Sequence, residues 1–124
     1  MKWILGVGCR QGCTVDELAE LALAVLREAD CAVAALTGLA TVDTRLEAPA
    51  VQALAQRWQL PLLGFPADQL ARQTGVSAPS SAVLQHTGSP SVAEAAALLA
   101  AGSGAQLRVS KRKSAAATAA LAYA

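Results

Sequence analysis

The chain has 124 residues, 54% of them hydrophobic but only 3% aromatic, and a formal net charge of +1. That length suits one domain with a real core, and the near-neutral balance argues against bulk nucleic-acid binding. The longest apolar runs, such as Cys31 to Leu36 and Ala95 to Ala101, fall well short of the ~20 residues of a spanning helix, which argues against a membrane partner.

A short apolar run, Trp3 to Val7, reads as the first strand. No signal peptide fits ahead of it, and an odd cysteine count of three fits a reducing cytoplasm better than a disulfide framework. The strand leads into Gly6-Val7-Gly8-Cys9-Arg10-Gln11-Gly12, and Thr14-Val15-Asp16-Glu17 then opens a helix. Thr14 and Glu17 have the spacing of a capping box, with the hydroxyl on the N3 amide and the carboxylate reaching back to the cap. Strand, glycine-rich turn and helix N-terminus together predict exposed amides at the positive end of a helix dipole. Arg10 adds a fixed charge, so the stretch reads as an anion site for phosphate or carboxylate. The third glycine of a dinucleotide fingerprint falls one residue late, at Gly12 instead of Gln11, and the stretch also reads as a plain tight turn.

Leu18, Leu21, Ala22, Val25, Leu26 and Ala29 give the first helix, about Val15 to Ala29, an apolar stripe. A strand follows at about Leu36 to Val42 and ends at Asp43-Thr44-Arg45. Pro49 starts a second helix whose stripe is Val51, Leu54, Ala55 and Trp58. Pro61 to Phe65 reads as a short third strand, and Ala67 to Thr74 as a short helix stopped by Gly75. Ser77 to Ser81 and Thr87 to Pro90 are loops by composition, with Val83-Leu84 open between strand and turn. Ser91-Val92-Ala93-Glu94 repeats the capping-box pattern and opens a helix to about Ala101, stopped by Gly102 and Gly104. Gln106 to Val109 and Ala117 to Tyr123 read as a terminal hairpin joined by Ser110 to Ser114. The order predicts a three-layer α/β/α domain over residues 1–124. Its sheet is mostly parallel but mixed, with about five strands, one of them antiparallel.

In such sheets ligands bind outside the carboxyl edge. If the strand at Gln106 to Val109 runs parallel to the first three, Arg10, Asp43, Arg45, Lys111, Arg112 and Lys113 surround one cleft there. The basic run then reads either as an anion clamp or as a solvated hairpin tip. Asp43 reads as a general base at the rim or as a turn residue. Cys9 reads as a thiolate activated by the helix N-terminus and Arg10, or as an inert packed thiol. No set of residues has metal-ligand spacing, with His86 far from Cys9 and Cys13, and no cofactor is expected. Ser77, Ser80 or Ser81 with His86 and Asp43 lack a nucleophile-elbow pattern.

Taken together these stretches resemble the CobE/CbiG C-terminal domain family of cobalamin (vitamin B12) biosynthesis. Gly6 to Gly12 with Thr14 resembles its N-terminal signature. Ala40-Thr41-Val42-Asp43 with Arg45 and Glu47 is similar to its second motif, where a lysine often replaces Arg45, and Leu60-Pro61-Leu62 with Phe65 to its third strand. Ser91 to Leu98, and Lys111 with Lys113, resemble its last two motifs. At this length the resemblance is to stand-alone members acting in the aerobic corrin pathway, not to the longer hydrolase, which opens a ring-A lactone of a cobalt-precorrin. The resemblance implies a precorrin or other corrinoid tetrapyrrole as ligand, and other pathway enzymes as partners. It implies Gly8, Cys9, Arg10, Gly12, Asp43, Glu94 and Lys111 as site candidates; Arg45 and Lys113 join them from the reading of the rim, and Thr14 from the glycine-rich turn. A lactone-opening hydrolase using Asp43 or Cys9, and a nucleotide-binding domain using the glycine turn, are the competing functions.

Overall fold

The computed structural model describes residues 1–73 and 92–124. The loops expected at 77–81 and 87–90, the open stretch Val83-Leu84, the Gly75 stop, the Ser91 cap and the serine–His86 combination lie outside the described residues. Five strands form one mixed sheet: β1 (Trp3–Cys9), β2 (Gly38–Val42), β3 (Leu62–Phe65), β4 (Gln106–Lys113) and β5 (Ala117–Tyr123), in the order β3-β2-β1-β5-β4. β1, β2 and β3 run parallel, β5 runs antiparallel to β1, and β4 antiparallel to β5. β4 is therefore parallel to β1, and the β4–β5 turn falls at the carboxyl edge of the parallel strands, the condition on which the convergence of the basic residues depended.

Helices cover both faces. α1 (Val15–Glu28) and α2 (Pro49–Trp58) pack on one face, where Leu18, Val25, Leu26, Val51 and Leu54 meet Leu5, Val7, Leu39 and Leu121. α3 (Ala67–Ala71) and α4 (Val92–Ala101) cover the other, where Leu70, Ala95 to Leu98 and Ala101 meet Ile4, Ala40, Val42 and Ala122. The three-layer α/β/α expectation holds, with the layers changing sides around β1. Alanine explains the close spacing. β5 exposes almost nothing of Ala119 to Ala122, and α4 is buried from Ala93 to Leu98. Small side chains on both elements let helix and sheet approach closely, so an alanine-rich segment is the most central antiparallel strand.

Several boundaries differ from the periodicity. β1 extends to Cys9 and pairs with β5 without a break from Trp3↔Tyr123 to Cys9↔Ala117. Gly8 and Cys9 are thus ladder residues, and the turn is confined to Arg10 to Cys13. β2 starts at Gly38, because Val33–Ala35 forms a 3-10 turn first. β4 continues through the basic run to Lys113, with register irregularities between Leu107 and Val109 and between Val109 and Arg112. An edge strand tolerates such charges and bulges because one side of its ladder faces solvent. The connecting turn is therefore Ser114 to Ala116, not Ser110 to Ser114.

Candidate functional site

Two amides at the glycine-rich turn are committed to backbone carbonyls. Gly8 and Cys9 lie in the β1–β5 ladder, Arg10 N–H donates to the Ala116 carbonyl at 2.8 Å, and Cys13 N–H donates to the Arg10 carbonyl at 3.1 Å. The Arg10 and Cys13 amides are therefore not part of any run of free turn amides. Gly12 sits at φ +90 with open space around it, so its glycine serves the backbone conformation of the turn. Gly8 faces Thr118, and a Cβ there would lie 2.7 Å from the Thr118 Oγ1.

Thr14 caps α1 as expected, its hydroxyl accepting from Glu17 N–H at 3.1 Å. The reciprocal half of the box is absent. The Glu17 carboxylate instead accepts from the Ser114 hydroxyl and from Ala116 N–H at 2.7 Å, which ties the start of α1 to the β4–β5 turn. These two bonds hold its pKa below the ordinary 4.5, the Ser114 bond contributing most. On the opposite face, Glu94 in the first turn of α4 is 1% exposed and accepts Lys111 N–H at 2.8 Å. Carboxylates from two helices on opposite faces thus hold the strand and turn that close the sheet's carboxyl edge.

Between that turn and β1 lies a pocket of about 270 Å³. Its floor is Gly8, Val42, Val92, Ala117 and Thr118, and its walls are Cys9, Arg10, Arg45 and the segment Lys113 to Ala116. Three cations line it and, among the described residues, no carboxylate does. Among the described residues, Arg10, Arg45 and Lys113 make no ion pair, whereas Arg57, Arg72 and Arg112 do. The structure therefore brings Gly8, Cys9, Arg10, Arg45 and Lys113 into one site. Gly12, Thr14, Asp43, Glu94 and Lys111 are not part of its lining. Asp43 is exposed at the start of a 3-10 turn. Arg112 leaves the rim and binds Glu28 of α1 through two bonds of 2.9 and 2.8 Å, which lowers the Glu28 pKa. Ser114, Ala116 and Thr118 were not anticipated, because only the strand pairing places them opposite Gly8 and Cys9.

Burial raises the Cys9 thiol above its ordinary value, against the smaller pull of Arg45 and a hydrogen bond with Cys13. The cation that acts on it is Arg45, not Arg10, and it does not win; Cys9 is a protonated thiol at neutral pH. No group of three or more His, Cys, Asp or Glu able to hold a metal ion occurs among the described residues, and no described helix is long and apolar enough to cross a membrane.

The Glu17 tether has a pH signature. Its folded pKa is depressed, so its stabilisation is fully present above the ordinary carboxyl value of 4.5 and is lost as pH falls through the folded value. Glu28 acts in the same direction. Glu17→Gln is expected to flatten the loss of thermal stability between neutral and acid pH, read by circular dichroism melts across that range. An unchanged pH profile would mean that the turn is not held through this carboxylate.

The class is a doubly wound α/β domain of the open-sheet type, with a cationic pocket at its carboxyl edge. The family model described as "Cobalamin synthesis G C-terminus" matches residues 3–122, and the chain belongs to that family. It is 41% identical over 120 residues to "Protein CobE" of Sinorhizobium sp, covering 96% of this chain and 78% of that protein. The crystal structure of CobE, "a protein from the cobalamin (vitamin B12) biosynthetic pathway", superposes with a TM-score of 0.84 at 36% identity, covering 98% of this chain and 89% of that one. The cobalamin biosynthesis protein chiG from Agrobacterium tumefaciens str. C58 gives a TM-score of 0.74 at 29% identity, covering 98% and 97%. A cobalamin biosynthesis protein G homolog from Sulfolobus solfataricus shares the fold, with a TM-score of 0.77 at 20% identity and 36% of its length covered. The functional setting is cobalamin biosynthesis.

Proposed function

We propose that the chain binds a corrin-ring intermediate, a precorrin or corrinoid, at the carboxyl-edge pocket and assists its processing. The observation that carries this reading is the set of three cations without ion-pair partners, Arg10, Arg45 and Lys113, around an apolar floor with no carboxylate among the lining residues. Corrin precursors carry acetate and propionate arms around a large apolar macrocycle, and such a rim suits them. At about 270 Å³ the pocket is smaller than the ~300–1,000 Å³ that engulfs a drug-sized ligand, so it grips one edge of the ring with its arms. The lactone-opening reading draws no support from the pocket, since Asp43 lies outside its lining and Cys9 is held as a thiol.

Titration of the protein with a precorrin, followed by visible absorbance, tests the reading. Saturable binding is expected. Arg45→Gln with Lys113→Gln removes two charge-assisted contacts worth roughly 1.5–3 kcal/mol each when fully formed, and should weaken binding about tenfold or more while the circular dichroism spectrum stays unchanged. Affinity should also fall between 0.1 and 1 M salt, as the Debye length shortens from ~10 to ~3 Å. No binding, or saturable binding of NAD or ATP instead, would overturn the proposal.

A further inference from the structure

Cys9 and Cys13 flank the turn between β1 and α1, and the proposed function makes no use of their sulfurs. Cys9 ends β1, where it pairs with Ala117, and Cys13 precedes the Thr14 cap. Between them Cys13 N–H donates to the Arg10 carbonyl at 3.1 Å, and Gly12 at φ +90 swings the chain back. A four-residue turn of this kind holds its ends within about 7 Å. Both side chains are half-buried against the apolar cluster under α1 and α2, and the two thiols share a hydrogen bond. The third cysteine, Cys31, lies past the far end of α1. The 14 residues of that helix span about 21 Å, and the Cys31 thiol donates to the Ala32 carbonyl. Cys9 also lines the cationic pocket, where Arg10, Arg45 and Lys113 favour the approach of an anionic reagent.

We propose that Cys9 and Cys13 are a modification site: a dithiol that an anionic low-molecular-weight disulfide, such as oxidised glutathione, converts to an intramolecular Cys9–Cys13 disulfide. The Cys9 thiolate attacks one sulfur of the reagent, so that a mixed disulfide forms and one glutathione thiolate leaves. The Cys13 thiolate then attacks the Cys9 sulfur and expels the second glutathione. The two thiol protons pass to solvent or to the departing thiolates, and two electrons reduce the reagent's S–S bond to two thiols. Burial raises both thiols above their ordinary value. Arg45 pulls Cys9 back down, whereas Cys9 itself and Glu17 push Cys13 further up. Cys9 is therefore the sulfur that reacts first, and exchange at neutral pH is slow. The second step is favoured because Cys13 is already beside Cys9, at an effective concentration that free glutathione does not match. The product closes a loop around Arg10, Gln11 and Gly12, and so modifies one wall of the pocket.

Trypsin separates the possibilities, because it cleaves after Lys2, Arg10, Arg27 and Arg45. Each cysteine then falls on its own peptide, residues 3–10, 11–27 and 28–45. The full chain, folded and at neutral pH, is exposed to oxidised glutathione, alkylated with iodoacetamide in denaturant and digested. The intact mass should fall by two hydrogens. One thiol should alkylate where the reduced protein has three, and peptides 3–10 and 11–27 should be joined. Cys31→Ser should form the same bridge. Cys13→Ser should stop with one glutathione held on Cys9. A bridge to peptide 28–45, a dimer linked through any cysteine, or a lasting mixed disulfide on the parent chain would overturn the proposal. Three thiols still free to alkylate after the exposure would overturn it as well. None of these outcomes depends on corrin binding.

Discussion

Gly6→Ala is expected to cost about 3 kcal/mol or more, at the top of the ~1–3 kcal/mol range for overpacked sites, and to lower Tm by about 10 °C or more. Gly6 lies mid-way along β1 with ordinary strand dihedrals, so the cost is not conformational. A Cβ built there would sit 1.8 Å from the Ala93 carbonyl oxygen, 2.8 Å from its carbon and 3.0 Å from the Ala97 Cβ. Those are backbone and stem atoms of α4, which cannot rotate away as a flexible side-chain tip would. The helix must lift, and Ala93 and Ala95 to Leu98, buried to within 1% of full burial, lose their contacts together. Against a typical stability of about 5–15 kcal/mol this is a large fraction. Gly12→Ala provides the contrast. It has open space but φ +90, so it should cost only about 1–2 kcal/mol of left-handed strain. Thermal melts of the two variants decide the matter. A Gly6→Ala protein that melts within 2 °C of the parent would show that α4 is not seated on β1 as described.

The glycine-rich stretch shows where sequence reasoning reaches and where it stops. Strand, turn and helix were legible there from the apolar run, the glycines and the Thr14 cap, because each is a local signal. The reason for each glycine was not. Gly6 makes way for a helix that begins at Val92, Gly8 faces Thr118, and Gly12 alone serves the turn. Two of those three reasons depend on partners more than eighty residues away. The same limit explains Glu17 and Glu94. Glu17 sits three residues after Thr14, the local pattern of a capping box, yet its carboxylate bonds to the β4–β5 turn, and Glu94 also accepts Lys111 N–H from a strand seventeen residues on. The basic run reads as the hairpin connection from sequence, whereas an edge strand can carry its charges toward solvent. Arg10, Arg45 and Lys113 could be grouped from sequence only through the assumed direction of β4. That direction is as assumed, but the bulges of β4 turn Arg112 to Glu28 and leave Lys113 to the pocket.

Glu94→Ala is expected to be the second most damaging change, with an effect on both stability and ligand binding. Its carboxylate is buried at 1% exposure in the first turn of α4 and accepts Lys111 N–H at 2.8 Å. Lys111 lies within the register break between Val109 and Arg112, where the ladder to β5 is interrupted. Glu94 therefore supplies from the helix layer a partner that the sheet does not supply at the bulge. Removing it orphans a partly buried N–H and opens a void beneath β4, a loss of about 2 kcal/mol from the hydrogen bond alone. It also removes a negative charge that acts on Arg112. The bulge sets how the strand delivers Lys113 to the pocket, so affinity for a carboxylate-bearing ligand should fall in step. Glu94→Gln separates position from charge. The amide keeps an acceptor oxygen for Lys111 N–H, and it should retain most of the stability and most of the affinity. If Glu94→Gln loses as much binding as Glu94→Ala while melting like the parent, the carboxylate acts on the ligand through its charge, and Glu94 is not the positioning residue described here.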